Sequence, residues 1–207
     1  KWLRGEVGSE QQRAIAKNVR FLFIAGDVID GVGVYPEQDK ELAIKDVYGQ
    51  YEECVRLLAH VPQHISIVIA PGNHDAVYLA EPQPVFYKEI ARLFTHLPNV
   101  ILVSNPALVT ICQKENFPGF HVLMYHGYSF DYYVANVDSI RNNGGYHRGD
   151  LIMRYLLKRR HLAPSFASTL LSPAYDHDPL VIDTVPDIFV TGHIHYSVAA
   201  NYKNITM

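Results

Sequence analysis

Four short apolar runs, each followed within two residues by glycine or histidine, restrict the fold of this sequence most. They are Phe21–Ala25, Ile65–Ala70, Val122–Tyr125 and Ile188–Thr191. Nearly uninterrupted runs of this length are typical of strands that are covered on both faces, as in parallel sheets. Segments with apolar residues at helical spacing lie between them. The alternation predicts an α/β fold with no internal repeat or linker.

Helix signals support this interpretation. Ser9 followed by Gln12 forms a capping-box pattern that opens a helix ending near Asn18. A second amphipathic helix is predicted over residues 39–60, and Asp150 is expected to cap a helix that ends in "KRRHLAP". The remaining predicted elements are a helix over residues 86–94 and strands over residues 100–103 and 108–112.

Composition limits the class of protein. The 207 residues are 48% hydrophobic, which suits one domain over residues 1–207 with a proper core. A formal net charge of −3 argues against a general nucleic-acid binder coated in positive charge. No apolar run approaches the ~20 residues of a membrane span, so no membrane partner is expected. Cys54 and Cys112 show no C-x-x-C spacing, which predicts buried thiols in a reducing, cytoplasmic setting.

Polar side chains follow each of the four runs. The sequence reads Gly26-Asp27 after the first, "GNHD" (residues 72–75) after the second, His126-Gly127 after the third, and "GHIH" (residues 192–195) after the fourth. Ligand sites in open α/β sheets lie beyond the carboxyl ends of strands, so we expect these groups to converge. A strand-end aspartate alone is more often a turn residue. The four motifs in this order favour a shared site.

The donors at this site are one aspartate, one asparagine and three histidines. Such a set suits Mn²⁺, Mg²⁺, Fe or Zn²⁺, and the lack of thiolates argues against a structural zinc. If the segment is extended, His193 and His195 point to one face, and both reach a metal pair. Asp27 has two oxygens that can bridge two cations. A phosphate loop is excluded, because Pro36 replaces the third glycine of a dinucleotide fingerprint and no G-K-[ST] occurs.

The order of these motifs resembles the calcineurin-like metallophosphoesterases. Longer strings, including "GDVIDGVGVYPEQ", "PGNHDAVYLAEPQP", "YHGYS" and "LLKRRHLAP", resemble more narrowly the small subunit of archaeal family D DNA polymerases. The resemblance implies a two-sheet β-sandwich flanked by helices. It also implies that residues 1–207 are a domain truncated at both ends, without the family's first strand and its Asp-x-His motif.

The same resemblance implies residue roles. Asp27 bridges two divalent ions, with Mn²⁺ the first candidate, and His195 serves the second ion. His74 is the catalytic histidine and Asp75 orients it. The ligands implied for the first ion, besides Asp27, are Asn73, His126 and His193.

The implied function is a 3′-to-5′ proofreading exonuclease acting on single-stranded DNA ends, in complex with a large catalytic polymerase subunit. Two alternatives stay open: a non-catalytic architectural polymerase subunit, and a small-molecule phosphoesterase of the same superfamily. Tyr35, Tyr125 and Tyr128 are candidates for stacking on bases. The basic cluster over residues 158–161 is better explained as cations at a helix C-terminus than as a DNA contact.

Overall fold

Two β-sheets lie face to face between two groups of helices in the computed structural model, which describes residues 1–173 and 176–207. The first sheet is parallel and has the order β1-β2-β3. The second is mixed and has the order β4-β5-β6-β8-β7. The strands are β1 Phe21–Ala25, β2 Ser66–Ala70, β3 Val100–Leu102, β4 Ala107–Ile111, β5 Phe120–Tyr125, β6 Ile188–Thr191, β7 Asn201–Tyr202 and β8 Ile205–Thr206.

The helices pack on the outer face of each sheet. In the described part of the chain they are α1 Glu10–Asn18, α2 Val47–Leu58, α3 Lys88–Ala91, α4 Phe130–Asn136, α5 Asp138–Arg141 and α6 Gly149–Arg159. Short 3₁₀ turns occupy Trp2–Arg4, Gln38–Lys40, Arg92–His96 and Gly145–His147. None of the described helices is both long enough and apolar enough to span a membrane.

Successive side chains of the central strands point to opposite faces of the sheet, and both faces are covered, which explains the apolar sequences of these strands. On β2, Val68 and Ala70 pack against Val122 and Met124 of β5, which joins the two sheets. The residues between them on β2, Ile67 and Ile69, join a second cluster with side chains of α2 and the α3 region. Leu123 and Tyr125 of β5 pack in the same way against α4 and α6. Both faces of these strands are therefore buried, so neither face carries polar residues.

The predicted α/β class with two sheets and flanking helices is confirmed, while the specific phosphoesterase fold stays a prediction. The predicted capping box of α1 is also present: Gln12 N donates to Ser9 Oγ at 3.2 Å and Ser9 N to Gln12 Oε1 at 2.8 Å. Helices α4 and α5 are additional elements. Their short apolar patterns carry no strong periodic signal.

Two predicted helix starts were wrong. The helix expected from residue 39 begins at Val47, because Asp46 caps it by accepting a 2.7 Å hydrogen bond from Gly49 N. Asp150 is not the cap of α6 but lies in its first turn, where it pairs with Arg148 at 2.7 Å.

The expectation that both thiols fill the core was wrong for Cys112, which is exposed, while Cys54 is partly buried. Cys112 directly follows β4, the edge strand of the second sheet, in a left-handed turn with φ 58°. A residue at such an edge has no sheet neighbour on one side to cover it.

Candidate metal centre

Four side chains from four strand ends meet where the carboxyl ends of the two sheets lie together. Asp27 follows β1, Asn73 follows β2, and His126 and His193 follow β5 and β6. Ligand atoms of Asp27, His126 and His193 all lie within 4.8 Å of one another. Asn73 Oδ1 lies 2.8 Å from His126 Nε2 and 3.0 Å from His193 Nδ1. The structure thus brings together the residues that the sequence assigns to the first metal.

Glycines allow this close approach. A Cβ at Gly72 would stand 2.7 Å from His126 Cε1, and one at Gly26 would stand 2.7 Å from Gly72 Cα. Real Cβ atoms do not come this close to neighbouring heavy atoms, so a side chain at either position would separate the ligands.

Two of the candidate ligands are themselves held in an unfavourable backbone conformation. Asp27 has φ 51° and His193 has φ 65°, in the left-handed region that residues other than glycine rarely adopt. Such residues cost about 1–3 kcal/mol each and cluster at functional sites. The strain therefore supports a functional role for both positions.

The rings of His126 and His193 are each oriented by a hydrogen bond from the nitrogen that faces away from the candidate centre. His126 Nδ1 lies 2.7 Å from the carbonyl oxygen of Ala25, and His193 Nε2 lies 2.9 Å from Asp131 Oδ2. Carbonyl and carboxylate oxygens only accept, so each of these nitrogens carries the proton and donates. The inner nitrogens, His126 Nε2 and His193 Nδ1, then present lone pairs to the centre, as in metal sites whose histidines have outer partners.

The inner atoms of this set are His126 Nε2, His193 Nδ1, the side-chain oxygen of Asn73 and the Asp27 carboxylate. Asn73 Oδ1 lies close to both ring nitrogens, and Asp27 Oδ2 lies 3.4 Å from His126 Nε2. A divalent cation could take the place of the protons that these contacts share and be coordinated by all four groups. Nitrogen and oxygen donors of this kind suit Mn²⁺, Mg²⁺, Fe or Zn²⁺. The residues present therefore fit one such ion.

Electrostatics couples Asp27 to His126. Burial alone raises the pKa of Asp27, but the His126 side chain and the backbone N–H of His74 outweigh it and lower the pKa below its ordinary value. Burial lowers the pKa of His126, and the hydrogen bond and charge of Asp27 outweigh that effect and raise it. The Asp27 carboxylate is therefore ionised at neutral pH and available to a cation.

His74 stands beside this centre without belonging to the ligand cluster. Its backbone N–H donates to Asp27 Oδ1 at 2.9 Å, and its ring Nδ1 lies 2.8 Å from the carbonyl oxygen of Asp30. The Nδ1–H donates to that carbonyl. The other ring nitrogen, Nε2, takes no part in this bond.

The prediction that Asp75 orients the His74 ring was wrong. The Asp75 carboxylate, 5% exposed, accepts hydrogen bonds from Tyr51 Oη at 2.9 Å, Gly72 N at 2.8 Å and Val28 N at 3.2 Å. These bonds turn it away from the ring and tie the loop after β1 to the loop after β2. Burial is the largest influence on the Asp75 pKa and raises it to about 6.

Among the described residues, His195 is not in the group whose ligand atoms lie within 4.8 Å of one another. Because His193 has φ 65°, the segment is not extended, so the condition under which both histidines would point to one face is not met. His195 is exposed and lines a cleft that Asp27, Asp30 and His74 also line. Its assignment to a second cation stays a prediction.

The other candidate DNA contacts differ in whether their side chains are free to reach a base. Tyr125 is fully buried and donates to Glu81 Oε2 at 3.0 Å, so it cannot stack on a base. Tyr35 is exposed and bonds Glu41 at 3.0 Å. Tyr128 is partly buried beside His193, with ring centroids 5.8 Å apart. In the basic cluster, Arg160 donates to the carbonyl of Ile182 at 2.6 Å, which is a structural contact.

Asp131 is the residue that the sequence analysis missed. It lies in the first turn of α4, where an acidic residue is explained by the helix dipole alone. In the structure it accepts from His193 Nε2 at 2.9 Å and from Tyr146 Oη at 2.8 Å. Asn105 was also missed: its Oδ1 accepts from His126 N at 2.7 Å.

Asp131→Ala should lower the affinity of the full-length protein for Mn²⁺ by about 10–100-fold, the usual cost of losing an outer partner of a histidine ligand. Isothermal titration measures this directly. The exposed Asp138, which pairs with Arg141 on the surface, provides the matched control Asp138→Ala, expected to bind like the parent. An unchanged affinity in Asp131→Ala would contradict the assigned role.

The fold and the site define an α/β protein with a candidate metal centre where the carboxyl ends of strands from two sheets lie together. The chain belongs to the family of the B subunits of DNA polymerases alpha and epsilon, whose family model matches residues 24–199 and so includes every residue of the candidate centre.

Its relatives are proteins named DNA polymerase II small subunit, which confirms the resemblance to the archaeal small subunits. The chain is 42% identical to that of Methanothermobacter thermautotrophicus over 99% of its own length and 40% of the relative's. It is 44% identical to that of Archaeoglobus fulgidus, covering all of the chain and 40% of the relative. For Pyrococcus furiosus the identity is 41%, covering all of the chain and 32% of the relative. The chain thus spans about two fifths or less of these relatives.

Proposed function

We propose that this chain is the metal-dependent phosphodiesterase centre of the small subunit of a replicative DNA polymerase. In this proposal it acts as a 3′-to-5′ exonuclease on single-stranded DNA ends, beside a large catalytic subunit. The observation that supports the chemistry is the convergence of Asp27, Asn73, His126 and His193, whose nitrogen and oxygen atoms lie close enough together to share one cation. The family and the names of the relatives support the polymerase context.

Bound divalent ions would polarise the phosphodiester and lower the pKa of a water molecule, the usual contribution of metals to phosphoryl hydrolysis. The chain's own residues supply position and a proton. The Asp30 carbonyl accepts from Nδ1–H of His74, so Nε2 is the ring nitrogen left for the leaving oxygen. In the doubly protonated ring Nε2 would donate its proton to that oxygen, and the ring would return to its neutral form. Its backbone N–H fixes one oxygen of Asp27, which leaves the second carboxylate oxygen, Oδ2, facing His126.

A non-catalytic architectural subunit is the second candidate. Among the described residues, the group of close ligand atoms is that of Asp27, His126 and His193, and His195 is outside it, whereas a two-ion mechanism needs a second set. The four converging side chains of the first centre argue the other way, because an architectural role gives no reason to bring four metal-capable groups together at the strand ends.

The test is digestion by the full-length protein with its large subunit. A 5′-labelled single-stranded oligonucleotide should be shortened from its 3′ end in Mn²⁺, and chelation with EDTA should stop the reaction. Turnover of 4-nitrophenyl phosphate should be far slower. Metal binding without cleavage of either substrate would favour the architectural subunit, and a preference for the monoester would favour a small-molecule phosphoesterase.

A further inference from the structure

Two clefts open on either side of His74. One, the acidic cleft, is lined by Asp27, Asp30, Glu53, His195 and aliphatic residues of α2. The other is called the apolar cleft for its exposed aliphatic side chains, Val32, Val34 and Leu79, and the polar residues Asn73, His74 and Asp75 and the ring of Tyr128 also line it. Each cleft is lined in part by residues of the candidate centre, so each is a path by which a substrate could extend from it.

Charge favours the apolar cleft for the part of a nucleotide that carries no phosphate. In the acidic cleft Asp30 is exposed, and Asp27 and Glu53 add further carboxylates. In the apolar cleft the carboxylate among the lining residues is Asp75, which is 5% exposed and accepts three hydrogen bonds. An uncharged, flat, apolar group meets no unpaired charge there.

The wall of the apolar cleft consists of aliphatic side chains in water. Val32 is 46% exposed, Val34 37% and Leu79 45%. Apolar groups exposed together beside a polar centre are typical of a ligand-binding surface. Their position next to Asn73 and His74 places any bound group within reach of the candidate chemistry.

Buried glutamines hold this wall in place. Gln50 accepts from Gly31 N at 2.9 Å and donates to Gly31 O at 3.1 Å. Gln38, 2% exposed, accepts from Val34 N at 2.9 Å and donates to Asp30 O at 2.8 Å. The loop that carries the valines is therefore tied to α2 and to itself, and the wall is formed before any ligand binds.

Tyr128 connects the cleft to the metal centre. Its ring contacts the His193 ring, with centroids 5.8 Å apart and planes inclined by 56°. The position of this ring is thus tied to the position of a metal ligand. An aromatic face held in this way is suited to stacking against a nucleobase.

We propose that the apolar cleft binds the unpaired base of the nucleotide being removed, with Tyr128 stacking on it and Val32, Val34 and Leu79 forming the opposite wall. This inference rests on the proposed phosphodiesterase function and names the element that selects the substrate. A base inside a duplex is not available to the cleft, so the same contact favours single-stranded ends.

The experiment uses the full-length protein and two fluorescent single-stranded oligonucleotides that differ at the last nucleotide, one with a base and one abasic. Equilibrium binding is measured in EDTA, where no cleavage occurs, and kcat/KM is measured in Mn²⁺. In Tyr128→Ala the preference for the base-bearing end should fall about 10-fold, within the range known for loss of one stacking contact. Tyr87→Ala, an exposed tyrosine outside the cleft, is the matched control and should keep the preference of the parent protein.

A preference for the base that is equal in Tyr128→Ala and the parent would overturn the proposal. If Tyr128→Ala loses the preference in binding while the parent cleaves neither oligonucleotide, the cleft is supported and the nuclease function fails instead. If the parent cleaves both ends but shows no preference for a base, the nuclease stands and the cleft is overturned. A second variant, Leu79→Asp, places a charge on the opposite wall and should reduce the preference in the same direction.

Discussion

Replacing Asp27 with alanine should abolish Mn²⁺ binding and phosphodiester hydrolysis together. The carboxylate is the single negative charge of the inner set, and Oδ2 lies 3.4 Å from His126 Nε2. Its Oδ1 also accepts the backbone N–H of His74, so its loss frees the loop that carries Asn73. The affinity should fall by more than the roughly 10–100-fold expected for an outer partner. Isothermal titration and oligonucleotide digestion measure the two effects on one preparation.

The control for this prediction is Asp138→Ala, which removes an exposed carboxylate on α5. It should bind and cleave like the parent protein. Retention of tight Mn²⁺ binding in Asp27→Ala would remove Asp27 from the inner set. Retention of cleavage in Asp27→Ala would show that a site other than this centre digests the oligonucleotide.

Replacing His74 with alanine should preserve the metal centre and lower turnover by about 10²–10⁴-fold, the usual contribution of a general acid or base. The structure gives the reason for the separation. Asp27 is bound by the backbone N–H of His74, which alanine retains, whereas the ring makes its contact with the Asp30 carbonyl outside the ligand set. Titration should therefore give the parent affinity, and single-turnover digestion should show the loss.

His64→Ala is the matched control, since this histidine is exposed before β2 and away from the strand ends. It should leave both measurements unchanged. A loss of Mn²⁺ affinity in His74→Ala as large as that in Asp27→Ala would contradict the assigned role of the ring.

The meeting of the candidate ligands could be predicted because each one lies within three residues of the end of an apolar strand. Burial on both faces makes such strands easy to recognise, and ligand sites in α/β sheets lie beyond their carboxyl ends. The sequence did not show that β1 and β2 lie in one sheet and β5 and β6 in the other. The start of α2 could not be predicted from apolar spacing, because that spacing continues through Leu42 and Ile44. The cap at Asp46 sets the boundary instead.

Hydrogen bonds between side chains that are distant in the sequence could not be predicted from sequence patterns. Asp75 is turned from His74 by Tyr51, which comes from α2, and Asp131 reaches His193 across 62 positions. The separation of His193 from His195 depends on a left-handed backbone at a residue other than glycine. That conformation is imposed by the surrounding packing and has no local signal.

Anomalous diffraction from crystals of the full-length protein grown with Mn²⁺ tests the central claim most directly. The account predicts a manganese peak at about 2 Å from Asp27, Asn73, His126 and His193, a normal coordination distance for such donors. Manganese-loaded crystals in which every anomalous peak lies away from these four side chains would contradict it.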